Sequence, residues 1–393
     1  MQPVRAQIPP AESFTVTGYL AVITLAALVT FLLVPVARSV AVRFSVLAEP
    51  DTQRRLHAKS MPLLGGAAMF FGFLGSLFFA SRLTQFHEMF VATSEPIGIV
   101  LAAFLMLGVG LIDDKRPVSA PAKLAGQVLA GSVLYLFGTS LEVITLPFSL
   151  GTIEISADLA PLITVLWVVG MANAINLIDG LDGLATGIVA IASAAFLLYS
   201  HTLFDNQIIS GSNVGPLIAA IALGVCLGFL PYNFSPASIF MGDAGALFLG
   251  LLLAVSTMVV GGRAIPDVTV KGSAILSPLL IPLIILAVPI GDVLRLIVTR
   301  IIKGSGVATG NRDHLHYRLI ELGHGPRRTV FILCALTTIF SALVLEPLFF
   351  PGWSARLFLL TLLVALVGFA VMHPDLRKQR RANRLSESTH PKS

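Results

Sequence analysis

The sequence predicts an all-α, polytopic integral membrane protein of about eleven transmembrane helices. Three observations carry that prediction. Of 393 residues, 55% are hydrophobic and 12% charged, whereas a soluble domain carries about 25% charged residues. Apolar runs of membrane-spanning length recur along most of the chain, and the basic residues gather between alternate runs. The net charge of +5 therefore points to a membrane surface and away from nucleic acid.

Apolar runs fall at roughly 17–37, 62–80, 96–112, 120–138, 161–178, 184–200, 214–231, 244–262, 277–301, 329–350 and 355–372. The first is too long for a signal-peptide core and no clear small-residue cleavage site follows it. It reads as a retained span after a short extracytoplasmic segment, residues 1–16. Residues 141–159 alternate polar and apolar around Gly151, the pattern of a short β-hairpin outside the bilayer. Residues 17–373 then form one transmembrane domain, and 374–393 a basic cytoplasmic tail lying near an anionic leaflet. Cys226 and Cys334 both sit inside apolar runs, so neither a disulfide framework nor a cysteine metal cluster is expected. With the N-terminus outside, 21 of the 26 lysines and arginines fall on the inner side, leaving Arg5, Arg82, Arg263, Lys271 and Arg356 outside.

On that topology every polar motif faces the cytoplasm. "RRLHAKSMPLLGG" (54–66) follows the first span, "GLIDDKRP" (110–117) ends the third, and "NAINLIDGLDG" (173–183) ends the fifth. "PYNFSPASIFMGDAG" (231–245) joins the seventh and eighth, and "GNRDHLHYRL" (310–319) precedes the tenth. Asn173, Asn176, Asp179 and Asp182 are spaced by three, so on an unbroken helix they would spiral apart. Gly180 and Gly183 predict a break, with the span ending near Asp179 and Asp182 capping the next helix. Taken singly, each motif has an ordinary explanation. Asp243 can be a helix cap, Asp113 and Asp114 turn residues paired with Lys115 and Arg116, and His57, His314 and His316 loop histidines. Taken together, five carboxylates on one side repel one another unless a cation compensates them. A hard divalent ion with oxygen ligands and a substrate diphosphate fits that need.

The motifs "LIDDKRP", "NAINLIDGLDGL", "FMGDAG" and "RDHLHYRL", with "RRLHAKSMPLLGG", resemble those of the bacterial polyprenyl-phosphate N-acetylhexosamine-1-phosphate transferases, in order from about 54 to 320. The resemblance implies transfer of a HexNAc-1-phosphate, GlcNAc-1-phosphate first among them, from a UDP-sugar to undecaprenyl phosphate, with release of UMP. It further implies Mg²⁺ (or Mn²⁺) dependence, a multi-pass protein of the bacterial inner membrane with its site on the cytoplasmic face, and initiation of a cell-envelope polysaccharide. A homodimer stays open. By the same resemblance Asp113 and Asp114 are the pair near the lipid phosphate, Asp179 and Asp243 the metal- and diphosphate-proximal aspartates, and Asn176 lies beside them. Asp182, Asn233 and Phe240 match the nucleoside pocket. Arg312, His57, His314 and His316 belong to the loops that meet donor and acceptor. "HLHY" at 314–317 and "MPLLGG" are closer to the GlcNAc-1-phosphate enzymes than to phospho-MurNAc-pentapeptide transferases, the alternative within the family; Tyr317 departs from the usual final histidine. A cation-coupled transporter is the rival from another class. Its sites tend to lie near the bilayer midplane between inverted repeats, and no repeated half is visible here.

Overall fold

The computed structural model describes residues 15–48, 60–145, 152–205, 209–210, 212–262, 287, 290–291, 315–349 and 356–368. Apart from residues 287 and 290–291, the expected span at 277–301 lies outside what is described, as do the tail 374–393 and the side chains of His57, Arg312, His314 and His316.

The described chain is built of helices: α1 (Val16–Arg43), α2 (Gly65–Ala80), α3 (His87–Val91), α4 (Glu95–Lys115), α5 (Ala120–Leu136) and α6 (Ala160–Ile178). They continue as α7 (Leu184–Asp205), α8 (Gly215–Asn233), α9 (Gly242–Gly261), α10 (Leu315–Glu321), α11 (Pro326–Phe349) and α12 (Arg356–Gly368). Among the described residues seven helices are long and apolar enough to cross a membrane: α1, α4, α6, α7, α8, α9 and α11. α2, at 16 residues, falls short because the apolar stretch "MPLL" before it is not helical. Met61–Pro62 forms strand β2, antiparallel to β1 (Leu47–Ala48). The pair made by α2 and the short 3₁₀ turn and helix after it is bent by 98°. Apolar composition alone cannot separate a buried extended segment from the first turn of a span.

Strands β3 (Val143–Thr145) and β4 (Thr152–Glu154) pair antiparallel, with Ile144 opposite Ile153. This pair packs on the end of α9: the N–H groups of Glu142 and Val143 donate to the carbonyl of Gly262 at 2.6 and 3.0 Å. The polar motifs lie at the opposite end of the same helix.

α9 is the axis of the molecule. It is buried throughout its length, with α2, α4, α6 and α8 packed around it. Lipid tails are as apolar as leucine, so helix association in a membrane rests on close packing, which rewards small residues. A Cβ placed on Gly110 of α4 would lie 2.2 Å from the Cα of Ala244, and one on Gly66 of α2 would lie 2.3 Å from the backbone nitrogen of Gly245. Farther along, a Cβ on Gly250 would lie 2.5 Å from the Cα of Ala172 in α6. The backbones thus touch at three points along α9. On the periphery α1 turns Leu20, Leu28 and Leu32 outward, where lipid covers them.

The helix ends near the polar motifs follow local rules. α4 stops at Arg116 because Pro117 forces the preceding residue into an extended conformation. α5 opens after extended Ser119 with Pro121 in its first turn, where the missing proline N–H costs nothing.

Gly110→Ala should therefore lower the melting temperature of the purified protein, with a cost on the order of 1–3 kcal/mol from overpacking against the α9 backbone. Gly108→Ala, two residues away with nothing within 4 Å of the added methyl, should melt like the parent. Equal melting of both variants would contradict the close α4–α9 contact.

Candidate active site

The ends of α4, α5, α6 and α9 meet, and the first link between them is a helix cap supplied in trans. The residue preceding α9, Met241, offers no capping side chain. Asp114 of α4 takes its place: its Oδ1 accepts from the N–H of Asp243 at 2.7 Å and its Oδ2 from the N–H of Ala244 at 3.2 Å. The approach needs Gly242, whose φ of +68° favours glycine and where a Cβ would sit 2.3 Å from an Asp114 carboxylate oxygen. Asp243 is therefore not the cap of α9. It lies in the first turn with its carboxylate free to reach elsewhere.

It reaches Lys123. The Lys123 ammonium contacts Asp243 Oδ2 and lies 3.0 Å from Asp113 Oδ2. Asp113 is fixed in turn by the N–H of Val118, which donates to its Oδ1 at 2.7 Å. Asn176 closes the group: its amide donates to Asp243 Oδ1 and accepts from Lys123 Nζ, both at 3.2 Å. The Lys123 side chain is 16% exposed, so these attractions are little screened by solvent. Asp113 thus pairs with a lysine one helix away, and not with Lys115 or Arg116 as in the ordinary turn explanation. Sequence reading counted Lys123 only among the inner basic residues. A signal was present: a cation in the first turn of a helix opposes the helix dipole, so something else must hold it there.

The predicted break in "NAINLIDGLDG" is present, but its four polar residues separate. α6 ends at Ile178 with Asp179 just beyond, and Gly183 has φ +77° before α7. Asn173 exchanges hydrogen bonds with Gln127 of α5 and leaves the cluster. Asn176 joins Lys123. The Asp182 carboxylate crosses to the α8–α9 loop, where it accepts from the N–H of Ala237 at 3.0 Å. The first turn of α7 instead finds its side-chain partner in Asn233, whose Oδ1 accepts from the Gly183 N–H (3.1 Å) and the Thr186 hydroxyl (2.9 Å). Asn233 is 2% exposed, and its amide also donates to the Ile239 carbonyl. That makes it a strut between the start of α7 and the α8–α9 loop. Phe240 is half-buried, and its backbone is stitched to the "MPLLGG" segment: its N–H donates to the Pro62 carbonyl at 2.8 Å and its carbonyl accepts from the Gly65 N–H at 3.0 Å.

Comparison with known proteins adds a second line of information. Residues 96–261 match glycosyl transferase family 4. Over 361 residues the chain is 35% identical to decaprenyl-phosphate N-acetylglucosaminephosphotransferase of Mycobacterium tuberculosis (strain ATCC 25618 / H37Rv), covering 90% of this chain and 88% of that protein. It is 32% identical over 322 residues to a probable undecaprenyl-phosphate N-acetylglucosaminyl 1-phosphate transferase of Bacillus subtilis (strain 168), covering 81% and 82%. A phospho-N-acetylmuramoyl-pentapeptide-transferase of Staphylococcus haemolyticus (strain JCSC1435) is 34% identical over 258 residues, covering 60% of this chain and 74% of that protein.

Asp179 carries the electrostatic cost of the site. Burial first, then the nearby charges of Asp114 and Asp182, push its carboxyl up to about 7. Between its ordinary value near 3.8 and about 7 the folded state holds a proton that the unfolded chain releases. The resulting stabilisation is complete at low pH and is lost as pH rises through that window. Asp179→Asn, neutral at every pH, should gain on the parent as pH rises through that window, so that without divalent cations its melting temperature relative to the parent is roughly 2–4 °C or more higher at pH 8 than at pH 5. A relative melting temperature that does not rise between pH 5 and pH 8 would contradict this reading.

Proposed function

Because the chain belongs to glycosyl transferase family 4, among the polyprenyl-phosphate N-acetylhexosamine-1-phosphate transferases, we propose that it transfers GlcNAc-1-phosphate from UDP-GlcNAc to undecaprenyl phosphate. The products are undecaprenyl-diphospho-GlcNAc and UMP, and the reaction begins a cell-envelope polysaccharide. The observation that carries the chemistry is the group of Asp113, Asp243 and Asn176 around Lys123 at four helix ends. The choice of sugar rests on coverage: relatives named for N-acetylglucosamine match 81–90% of the chain, against 60% for the Staphylococcus haemolyticus pentapeptide transferase.

Phosphoryl transfer leaves a protein little covalent chemistry to do; it positions the reactants and balances their charge. Lys123, held by Asp113 and Asp243, presents an ammonium to a phosphate. Asp113 orients the acceptor phosphate, which at cytosolic pH is already largely ionised. Asp182 and the half-buried Phe240 border the nucleoside, Phe240 offering a ring face for uracil. His57, Arg312, His314 and His316 serve the donor diphosphate and the lipid phosphate from the two inner loops, Arg312 through a forked guanidinium suited to phosphate.

A divalent ion, Mg²⁺ or Mn²⁺, belongs to this reading. Asp179, Asp243 and Asn176 offer the hard oxygen donors that such ions take, and the excess negative charge around Asp179 favours one. Among the described residues no three His, Cys, Asp or Glu side chains form a ready metal group. That suits an ion bound through one or two carboxylates and completed by water and substrate phosphates. When bound, it neutralises charge on the donor diphosphate. The gathering of basic residues beside the polar motifs supports a cytoplasmic-face site in a bacterial inner membrane. A homodimer is compatible with this reading and is not needed for it.

Purified protein supplied with Mg²⁺ and undecaprenyl phosphate should release UMP from UDP-GlcNAc and not from UDP-MurNAc-pentapeptide. EDTA should abolish release, and Mg²⁺ or Mn²⁺, but poorly Zn²⁺, should restore it. Asp243→Asn should insert and melt much like the parent while losing on the order of 10²-fold or more in turnover. Near-normal turnover of that variant at low millimolar Mg²⁺ would remove Asp243 from the metal site.

A further inference from the structure

We infer that Arg327 is a positioning residue for donor binding: it ties the start of α11 to the α8–α9 loop and so fixes that loop against the nucleoside-binding side of the site. This rests on the proposed UDP-sugar reading. The Arg327 Nε donates to the carbonyl of Ser235 at 3.0 Å, joining residues 92 apart in sequence. Ser235 lies midway between two anchors of the same loop. Two residues before it, Asn233 holds the first turn of α7. Two residues after it, the Ala237 N–H holds Asp182. The tether therefore acts on the stretch that carries Asn233, Ala237 and Phe240.

Its other end is equally well placed. α11 follows α10 after a tight turn in which Gly323 has φ +101° and the N–H of buried His324 donates to the Leu319 carbonyl at 3.1 Å. α11 also packs along α7. The second part of "RDHLHYRL", from Leu315 on, forms the start of α10, so Arg327 links the helix pair that carries the end of the histidine motif to the loop that borders the nucleoside. A surface basic residue that served only to orient the chain in the membrane would need no such partner. Ser235, Gly325, Pro326, Arg327 and Arg328 line an open surface pocket of about 460 Å³ at this junction, so the loop is not packed in on that side.

The test compares Arg327→Ala with Arg328→Ala, the neighbouring change of equal charge, in the full-length protein in detergent. Amide hydrogen exchange of residues 234–241 should rise in Arg327→Ala and stay at the parental level in Arg328→Ala. The KM for UDP-GlcNAc should rise about five- to tenfold in Arg327→Ala, the scale of one lost hydrogen bond, with kcat, the KM for undecaprenyl phosphate and the melting temperature little changed. Arg327→Lys, which keeps an N–H donor, should recover part of the donor KM. Unchanged exchange in Arg327→Ala, or equal effects in both alanine variants, overturns the tether. Raised exchange with an unchanged donor KM overturns its role in donor binding. A parent protein that releases no UMP from UDP-GlcNAc defeats the proposed function instead, and the exchange measurement still decides the tether.

Discussion

Everything at the polar end of this molecule depends on one ammonium group. Asp113 and Asp243 come from helices 130 residues apart in sequence, and both put a carboxylate oxygen on Lys123. Two partly buried carboxylates brought together repel each other and lose part of their hydration, which a cation between them offsets. Lys123 supplies that compensation. Its position in the first turn of α5 runs against the helix dipole, and its partners outweigh that cost. Asn176 matches the arrangement by donating to Asp243 and accepting from Lys123.

The ammonium can do this only because the backbones carrying its partners are locked. Asp114 binds two N–H groups in the first turn of α9, those of Asp243 and Ala244, which fixes where Asp243 sits. Gly110 and Gly66 let α4 and α2 touch α9 within the same stretch. Rigid packing and charge placement are thus one design: a bulkier residue at the crossing would push apart the helix ends that define the site. The α8–α9 loop is held differently, by side-chain struts such as Asn233.

The class of the fold was legible from composition and run length, because a bilayer imposes a length on every apolar helix. The sequence also marked the break after Asp179 and the strand pairing on either side of Gly151. The span count was less legible: "MPLL" is apolar yet not helical, since its backbone pairs with Val46 and Phe240. The clustering of the polar motifs was legible too: Asp113, Asp114, Asn176 and Asp243, from three separate motifs, do meet at one group of helix ends. What stayed hidden was who pairs with whom. Near in sequence, Asp113 had Lys115 and Arg116 as candidate partners, and Asp182 was expected to cap α7. The partners found, Lys123 and the Ala237 N–H, come from other helices and loops, and no local pattern announces contacts set by tertiary packing.

The central claim is that Lys123 and Asp113 act as one unit. A double-mutant cycle tests it most directly, with Lys123→Met, Asp113→Asn and the double variant compared for UMP release in preparations of equal melting temperature. Each single change should cost on the order of 10²-fold in turnover, and the double variant should fall little below the worse single one, because residues that act together lose their effect together. Losses that multiply in the double variant would show two independent contributions and contradict the account.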